Sequence, residues 1–201
     1  MERSKAVFAA VSELYQSDKT RGMGKWMWRN HVQWVAKRAT ELAEKYGAST
    51  EKVYCAALLH DLGDSQHERT FEDFVSWSEN KGKEILLAAG FDASEAAEII
   101  ESIIRPHSCR QGNLPATIEG KVLATADAMW HLQTNFFPVL SYMHRPETIN
   151  SYEEWQDWFN EKSNREINIK IFFEDERAAV KDDYDALVRV FSNTTLDSND
   201  K

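Results

Sequence analysis

Four side chains in this sequence are of the kinds that hold divalent cations, and each lies among residues that belong in a core. His31 falls in a stretch where Trp28, Val32, Val35, Ala39, Leu42 and Tyr46 recur at helical spacing. At about 100° per residue it lies at the edge of that stripe, nearly in line with Val35 and Leu42. His60 and Asp61 close the apolar run VYCAALL. Asp127 lies in KVLATADAMW, and no other Asp, Glu, Lys or Arg occurs between Lys121 and Arg145. It shares a helical face with Leu123, Trp130 and Thr134.

Burying an imidazole beside a carboxylate is costly unless something compensates. Each position has an ordinary resolution. His31 can bond a backbone carbonyl, Asp61 can reach water at a helix end, and Asp127 can pair with a Lys or Arg of another helix. A divalent cation resolves all of them at once, because it takes neutral imidazole nitrogens and ionised carboxylate oxygens. Helix bundles build metal sites in this way, from inward-facing side chains on different helices. Two imidazoles and two carboxylates, with water completing the shell, suit one six-coordinate Mn, Fe, Co, Ni or Mg ion. Zinc is compatible with the same set.

The elements that would carry these residues are helices. Only 8 Gly and 4 Pro occur in 201 residues, so turns are few. Helical spacing predicts helices over 4–17, 26–46, 71–89, 151–162 and 175–192. Gly47 should stop the second of these, and Ser49 or Thr50 should cap a helix running to about Leu62. Asp92 or Ser94 should start a helix ending near Pro106, and Thr117 to about Phe136 should form another that stops before Pro138. INIKIFF (167–173) alternates, but an irregular or helical course is favoured there. The expected fold class is all-α, a bundle of seven or more helices. Its expected division is 1–25 as an N-terminal helix and loop, 26–145 as the core, 146–192 as C-terminal helices packed on the same domain, and 193–201 as a frayed tail.

Composition narrows the partners. The 42% hydrophobic fraction belongs to a globular chain, and a net charge of −9 argues against a nucleic-acid polymer as partner. One bound dication would bring the charge to about −7 and create a local positive spot for a small anion. Cys55 and Cys109 make no disulfide framework, and Cys55 reads as a small core residue. With no apolar stretch for a signal peptide or a membrane span, a cytoplasmic location is expected. The oligomeric state is left open.

His31, the His60–Asp61 doublet ending an apolar helix, and the distant Asp127 together resemble the pattern of the HD-domain superfamily of metal-dependent phosphohydrolases. The flanks AALLHDLGD, IIRPHS (103–108) and KVLATADAM resemble it too, over about residues 26–145. The resemblance implies an all-helical fold and His31, His60, Asp61 and Asp127 as metal ligands. It also implies hydrolysis of a phosphate ester or anhydride of a small phosphorylated metabolite, with a nucleotide favoured. Branches that bind two metals need a further histidine after the doublet, where this chain has Ser78, Glu79 and Asn80. One metal is therefore expected, with His107 near the phosphate or the attacking water and Asp64 as a water-orienting or proton-transferring acid. Each has an ordinary reading too, His107 as a helix-end surface histidine and Asp64 as a turn residue. Arg29 and Lys25, with Arg21, precede His31, and Arg105 and Arg110 flank His107; any of these could clamp phosphate or simply face water. Trp26 and Trp28 are the aromatic candidates for the pocket, His131 is expected mainly to pack, and His144 shows no partner. The alternatives are a di-iron HD-type oxygenase and a non-catalytic ligand-sensing HD module.

Overall fold

The computed structural model describes residues 2–20, 23–69, 71–143, 149 and 151–191. Among them there are helices and turns and no strand, as the scarcity of Gly and Pro predicts. No described helix is long and apolar enough to cross a membrane. The chain divides into two compact units, Met1–Asp127 and Ala128–Lys201.

The first unit is organised around a short apolar helix. α1 (Glu2–Gln16) buries Val7, Val11 and Tyr15. α2 (Gly24–Met27) passes through a wide turn, Trp28–Val32, into α3 (Gln33–Tyr46) with helical dihedrals at both joints. Gly47 ends it at φ 71°, a left-handed conformation that glycine adopts without a Cβ penalty. Ser49 then caps α4 (Thr50–Leu59), where Val53, Cys55, Ala56, Ala57, Leu58 and Leu59 are all buried. Such burial requires neighbours on several sides, and α4 packs against α1, α3 and the segment Ile99–Ile104. Each fully buried Leu or Ile here contributes about 1.5–3 kcal/mol. Cys55 is part of this core, as expected, and burial pushes its thiol up to about 12.

α5 (Phe74–Ala88) follows a 3-10 turn at Leu62–Ser65 and a loop. α6 (Ala93–Glu98) starts with a reciprocal cap in which Asp92 accepts from backbone N–H groups and Glu95 reaches back to the Asp92 N–H. It runs into a second wide turn, Ile99–Ile104, which buries four isoleucines. α7 (Ile118–Gln133) carries Asp127.

The second unit contains α8 (Phe136–Met143), α9 (Tyr152–Arg165), α10 (Glu174–Ala179) and α11 (Lys181–Phe191). Phe137, Trp155, Phe159 and Phe191 form its aromatic core. The INIKIFF segment starts as a third wide turn, Glu166–Lys170, and becomes extended at Ile171, so it is no strand.

Two expectations are corrected here. α7 stops at Gln133, and Pro138 lies inside a separate helix rather than beyond one. That is tolerated because Pro138 sits in the first turn of α8, where a backbone N–H has no helical partner to lose. The expected helix 175–192 is two helices, broken at Val180. The expected tail, 193–201, lies outside the described residues, as do Arg21 and His144.

Candidate metal centre

His31 sits in the wide turn between α2 and α3. There the Gln33 N–H reaches back five residues to the Trp28 carbonyl instead of four. Such π-type turns insert one residue into a helix and are frequent at functional sites. Trp28 anchors the turn, stacked on Tyr15 with ring centroids 5.6 Å apart and tilted against Phe8. His31 is wholly buried, not at the stripe's edge as a regular helix would place it.

His60 follows α4 as its C-cap, still with helical dihedrals, and Asp61 turns away at φ −117°. Two contacts hold this exit. The Tyr15 hydroxyl donates to the Asp61 carbonyl at 2.6 Å. Gly63 lets α5 approach: a Cβ there would lie 2.5–2.6 Å from the Phe74 ring and the Ser78 hydroxyl.

These elements bring together four donor atoms of the first unit. His31 Nε2 lies 2.8 Å from His60 Nε2, 3.2 Å from Asp61 Oδ2 and 3.5 Å from Asp127 Oδ1. His60 Nε2 lies 3.6 Å from Asp61 Oδ2 and 3.8 Å from Asp127 Oδ1. Around a first-row cation with bonds of about 2.1 Å, adjacent donors stand about 3.0–3.4 Å apart, so the set has the right size.

The His60 hydrogen bond and the charge states of His31 and Asp61 agree with this. His60 Nδ1 donates to the Ala57 carbonyl at 2.7 Å, so its neutral tautomer presents an Nε2 lone pair to the cluster. Burial pushes the His31 imidazole down, against the pull of Asp61 and Asp127, which favours its neutral form. Burial alone would push the Asp61 carboxyl up. Arg69, His60 and His31 outweigh it and hold that carboxyl well below the usual range. Neutral histidines and ionised carboxylates are the forms a divalent cation requires.

The surrounding residues form a second set of contacts around the cluster. Both oxygens of Asp64 accept from one guanidinium, Arg69, through Nε at 2.9 Å and Nη2 at 2.5 Å. Burial and the Asp61 charge push the Asp64 carboxyl up, against the opposing pull of Arg69. The same Arg69 Nη2 lies 3.1 Å from Asp61 Oδ2. Nothing in the sequence marks Arg69 out. It lies in the polar stretch DSQHERT, which has no helical period, and an arginine there reads as solvated.

His107 is half-buried, with its ring 5.3 Å from that of His60, edge to face. Its Nδ1 donates to the Ile104 carbonyl at 2.5 Å, making Nε2 the basic nitrogen of the neutral ring. Arg105 is instead engaged by Glu79 in a two-bond fork, both bonds 2.8 Å. Ser78 donates to the Phe74 carbonyl. Arg29, Lys25 and Arg110 are exposed, and Trp28 belongs to the core.

His131 lies in the second unit, 3.2 Å from Glu166. Glu166 has no exposed surface and also meets Lys162 at 2.9 Å and Lys170 at 3.1 Å. Burial would raise its carboxyl, but Lys162, Lys170 and His131 hold it well below the usual range.

Comparison with known proteins identifies the fold and a family. No curated protein sequence matches significantly. Three solved structures share the fold. The crystal structure of Bacillus subtilis YpgQ superposes with a TM-score of 0.62 at 23% identity, over 94% of this chain and 92% of that one. YpgQ in complex with ADP gives 0.60 at 21%, over 94% and 93%. A predicted HD superfamily hydrolase from an uncultured Thermotogales bacterium gives 0.57 at 23%, over 92% and 87%. The HD domain model matches residues 28–129, about half of the chain. That span opens at the turn bearing His31 and closes just past Asp127, and over it the chain belongs to the HD-domain family.

Proposed function

We propose that this protein is a metal-dependent phosphohydrolase acting on a phosphate ester or anhydride of a small metabolite, with nucleotides the favoured class. The observation that carries the reading is the convergence of His31, His60, Asp61 and Asp127 at donor spacings of 2.8–3.8 Å, with the His60 lone pair turned inward. The ADP complex of the structural relative YpgQ supports a nucleotide. A recess of about 580 Å³ between α1, α3 and α4 is the less suitable place for such a substrate. It shares no lining residue with the cluster, and Glu41, Glu44 and Glu51 on its walls would repel an anion.

His31, His60, Asp61 and Asp127 would hold a divalent cation, which would supply an acidified water and polarisation of a phosphoryl oxygen. The chain's own residues prepare the rest. Ala57 fixes the His60 tautomer, and Tyr15 fixes the backbone that carries Asp61. His107, with its ring edge to face on that of His60 and its Nδ1 bonded to the Ile104 carbonyl, is the candidate for general acid or base. Asp64, gripped by Arg69, is better suited to positioning than to proton transfer.

The test is phosphate or pyrophosphate release from a panel of nucleotides and sugar phosphates, with Mn, Co, Ni, Mg or Zn. Release should depend on the metal and vanish in His60→Ala and Asp61→Ala. Full activity in both variants would overturn the reading. Two irons per chain with oxygen uptake would favour an oxygenase, and tight ligand binding without turnover would favour a sensor.

A further inference from the structure

We infer that Arg69 binds the phosphate of the substrate and that Asp64 positions it to do so. The inference rests on the phosphohydrolase reading of the same site and assigns the group that would meet the substrate's negative charge.

A guanidinium presents two edges. In Arg69 one is fully committed, since Nε and Nη2 both bond the Asp64 carboxylate. The planar fork fixes the orientation of the whole group. Nη2 also lies 3.1 Å from Asp61 Oδ2, so Arg69 sits one carboxylate oxygen away from the two Nε2 atoms of the cluster. Nη1 makes no hydrogen bond to the described residues, and half of the side chain surface is exposed. The remaining amino group is therefore fixed in orientation near the candidate metal ligands, on a side chain that is half exposed.

Charge points the same way. Asp61, Asp64 and Asp127 bring three negative charges to this region, against one from Arg69. A bound dication would only balance that sum. A phosphate entering there needs a fixed donor facing it, and a guanidinium is the side chain best matched to phosphate oxygens. The other cations proposed from sequence are less well placed. Arg105 is held by Glu79, and Arg29 and Lys25 are exposed.

Asp64 thereby acquires a use that does not require it to exchange protons. Without its fork, Arg69 would sample many rotamers on the surface, and ordering it would oppose binding.

The experiment uses the Mn²⁺-loaded full chain with inorganic phosphate as the probe, measured by titration calorimetry. Mn²⁺ affinity is measured separately by electron paramagnetic resonance. Loss of charge-assisted bonds predicts that Arg69→Ala weakens phosphate binding by about 10- to 100-fold. Mn²⁺ binding should be retained or tightened, because a positive charge beside Asp61 is removed. Asp64→Asn should weaken phosphate binding several-fold in the wild-type background and add nothing in the Arg69→Ala background; a merely structural Asp64 would cost the same in both.

Unchanged phosphate affinity in Arg69→Ala would overturn the inference. So would loss of Mn²⁺ binding in that variant, which would make Arg69 a support for Asp61 alone. Should Arg69→Ala fail to fold, Arg69→Lys keeps the charge without the fork and should still weaken phosphate several-fold. Wild-type protein that binds Mn²⁺ but no phosphate also overturns the inference. If it binds phosphate through Arg69 but hydrolyses nothing, the inference stands and the phosphohydrolase reading falls.

Discussion

A metal on His31, His60, Asp61 and Asp127 should be visible as stability before any substrate is known. All four ligand atoms lie in the first unit, on elements far apart in sequence, and the unfolded chain does not bring them together. A cation that binds only the folded state stabilises it by mass action, by about 2.7 kcal/mol when present at 100 times its dissociation constant. At about 2–4 °C per kcal/mol for a chain of this size, Mn²⁺ should raise the melting temperature by about 5–10 °C over protein stripped with chelator. His60→Ala removes a direct ligand, which should cost at least the roughly 100-fold upper end seen for mere supporting partners. At the same Mn²⁺ concentration the variant then sits near its own dissociation constant, and the gain falls to about 0.4 kcal/mol, or about 1–2 °C. Tryptophan fluorescence melts suit the measurement, since the chain has 7 Trp and Trp28 lies beside the site. The comparison is between metal-induced shifts, so any intrinsic instability of the variant cancels. Equal shifts in both proteins, or none in the wild type, would refute the metal-site reasoning.

Three further outcomes follow from packing and charge. Gly63→Ala should cost about 1–3 kcal/mol in urea unfolding, because its Cβ would sit 2.5–2.6 Å from Phe74 and Ser78; a smaller cost would mean α5 yields easily. Tyr15→Phe keeps the stack on Trp28 but strands the Asp61 carbonyl, and should cost about 1 kcal/mol by the same measurement. Glu166→Gln leaves Lys162 and Lys170 buried without their carboxylate, and should destabilise the second unit by about 3 kcal/mol at neutral pH. Because the folded carboxyl is held below its ordinary 4.5, the wild-type advantage is complete above about that pH and is lost as pH falls toward the depressed folded value. Denaturation curves from pH 7 to pH 3 should show the two proteins converging.

What sequence could and could not reveal divides along physical lines. Helix ends were legible where a side chain or a glycine makes them. Gly47 is left-handed, Ser49 caps α4, and Asp92 with Glu95 forms a reciprocal cap. The four clustered residues were legible because polar groups on apolar faces are anomalous, and anomaly is a signal. Arg69 was not, since a charge in a polar loop is ordinary and only three-dimensional contact with Asp61 and Asp64 sets it apart. Glu166 was hidden for a similar reason, its burial depending on cations that fold over it from both sides. The wide turns were invisible because a shift from four-residue to five-residue hydrogen bonding leaves no mark in composition.

The wide turn at Trp28–Val32 gives the helix a change of phase. Residues before it and after it follow two helical registers, offset by one position, and His31 lies in the offset. The site is thus encoded in a count of residues as well as in their identities. Removing one exposed residue there, such as Asn30, would leave every ligand in the chain yet restore a single register, swinging the upstream half by about 100° relative to α3. Homologous chains should therefore tolerate substitution on the outer face of this turn far more readily than a change in its length.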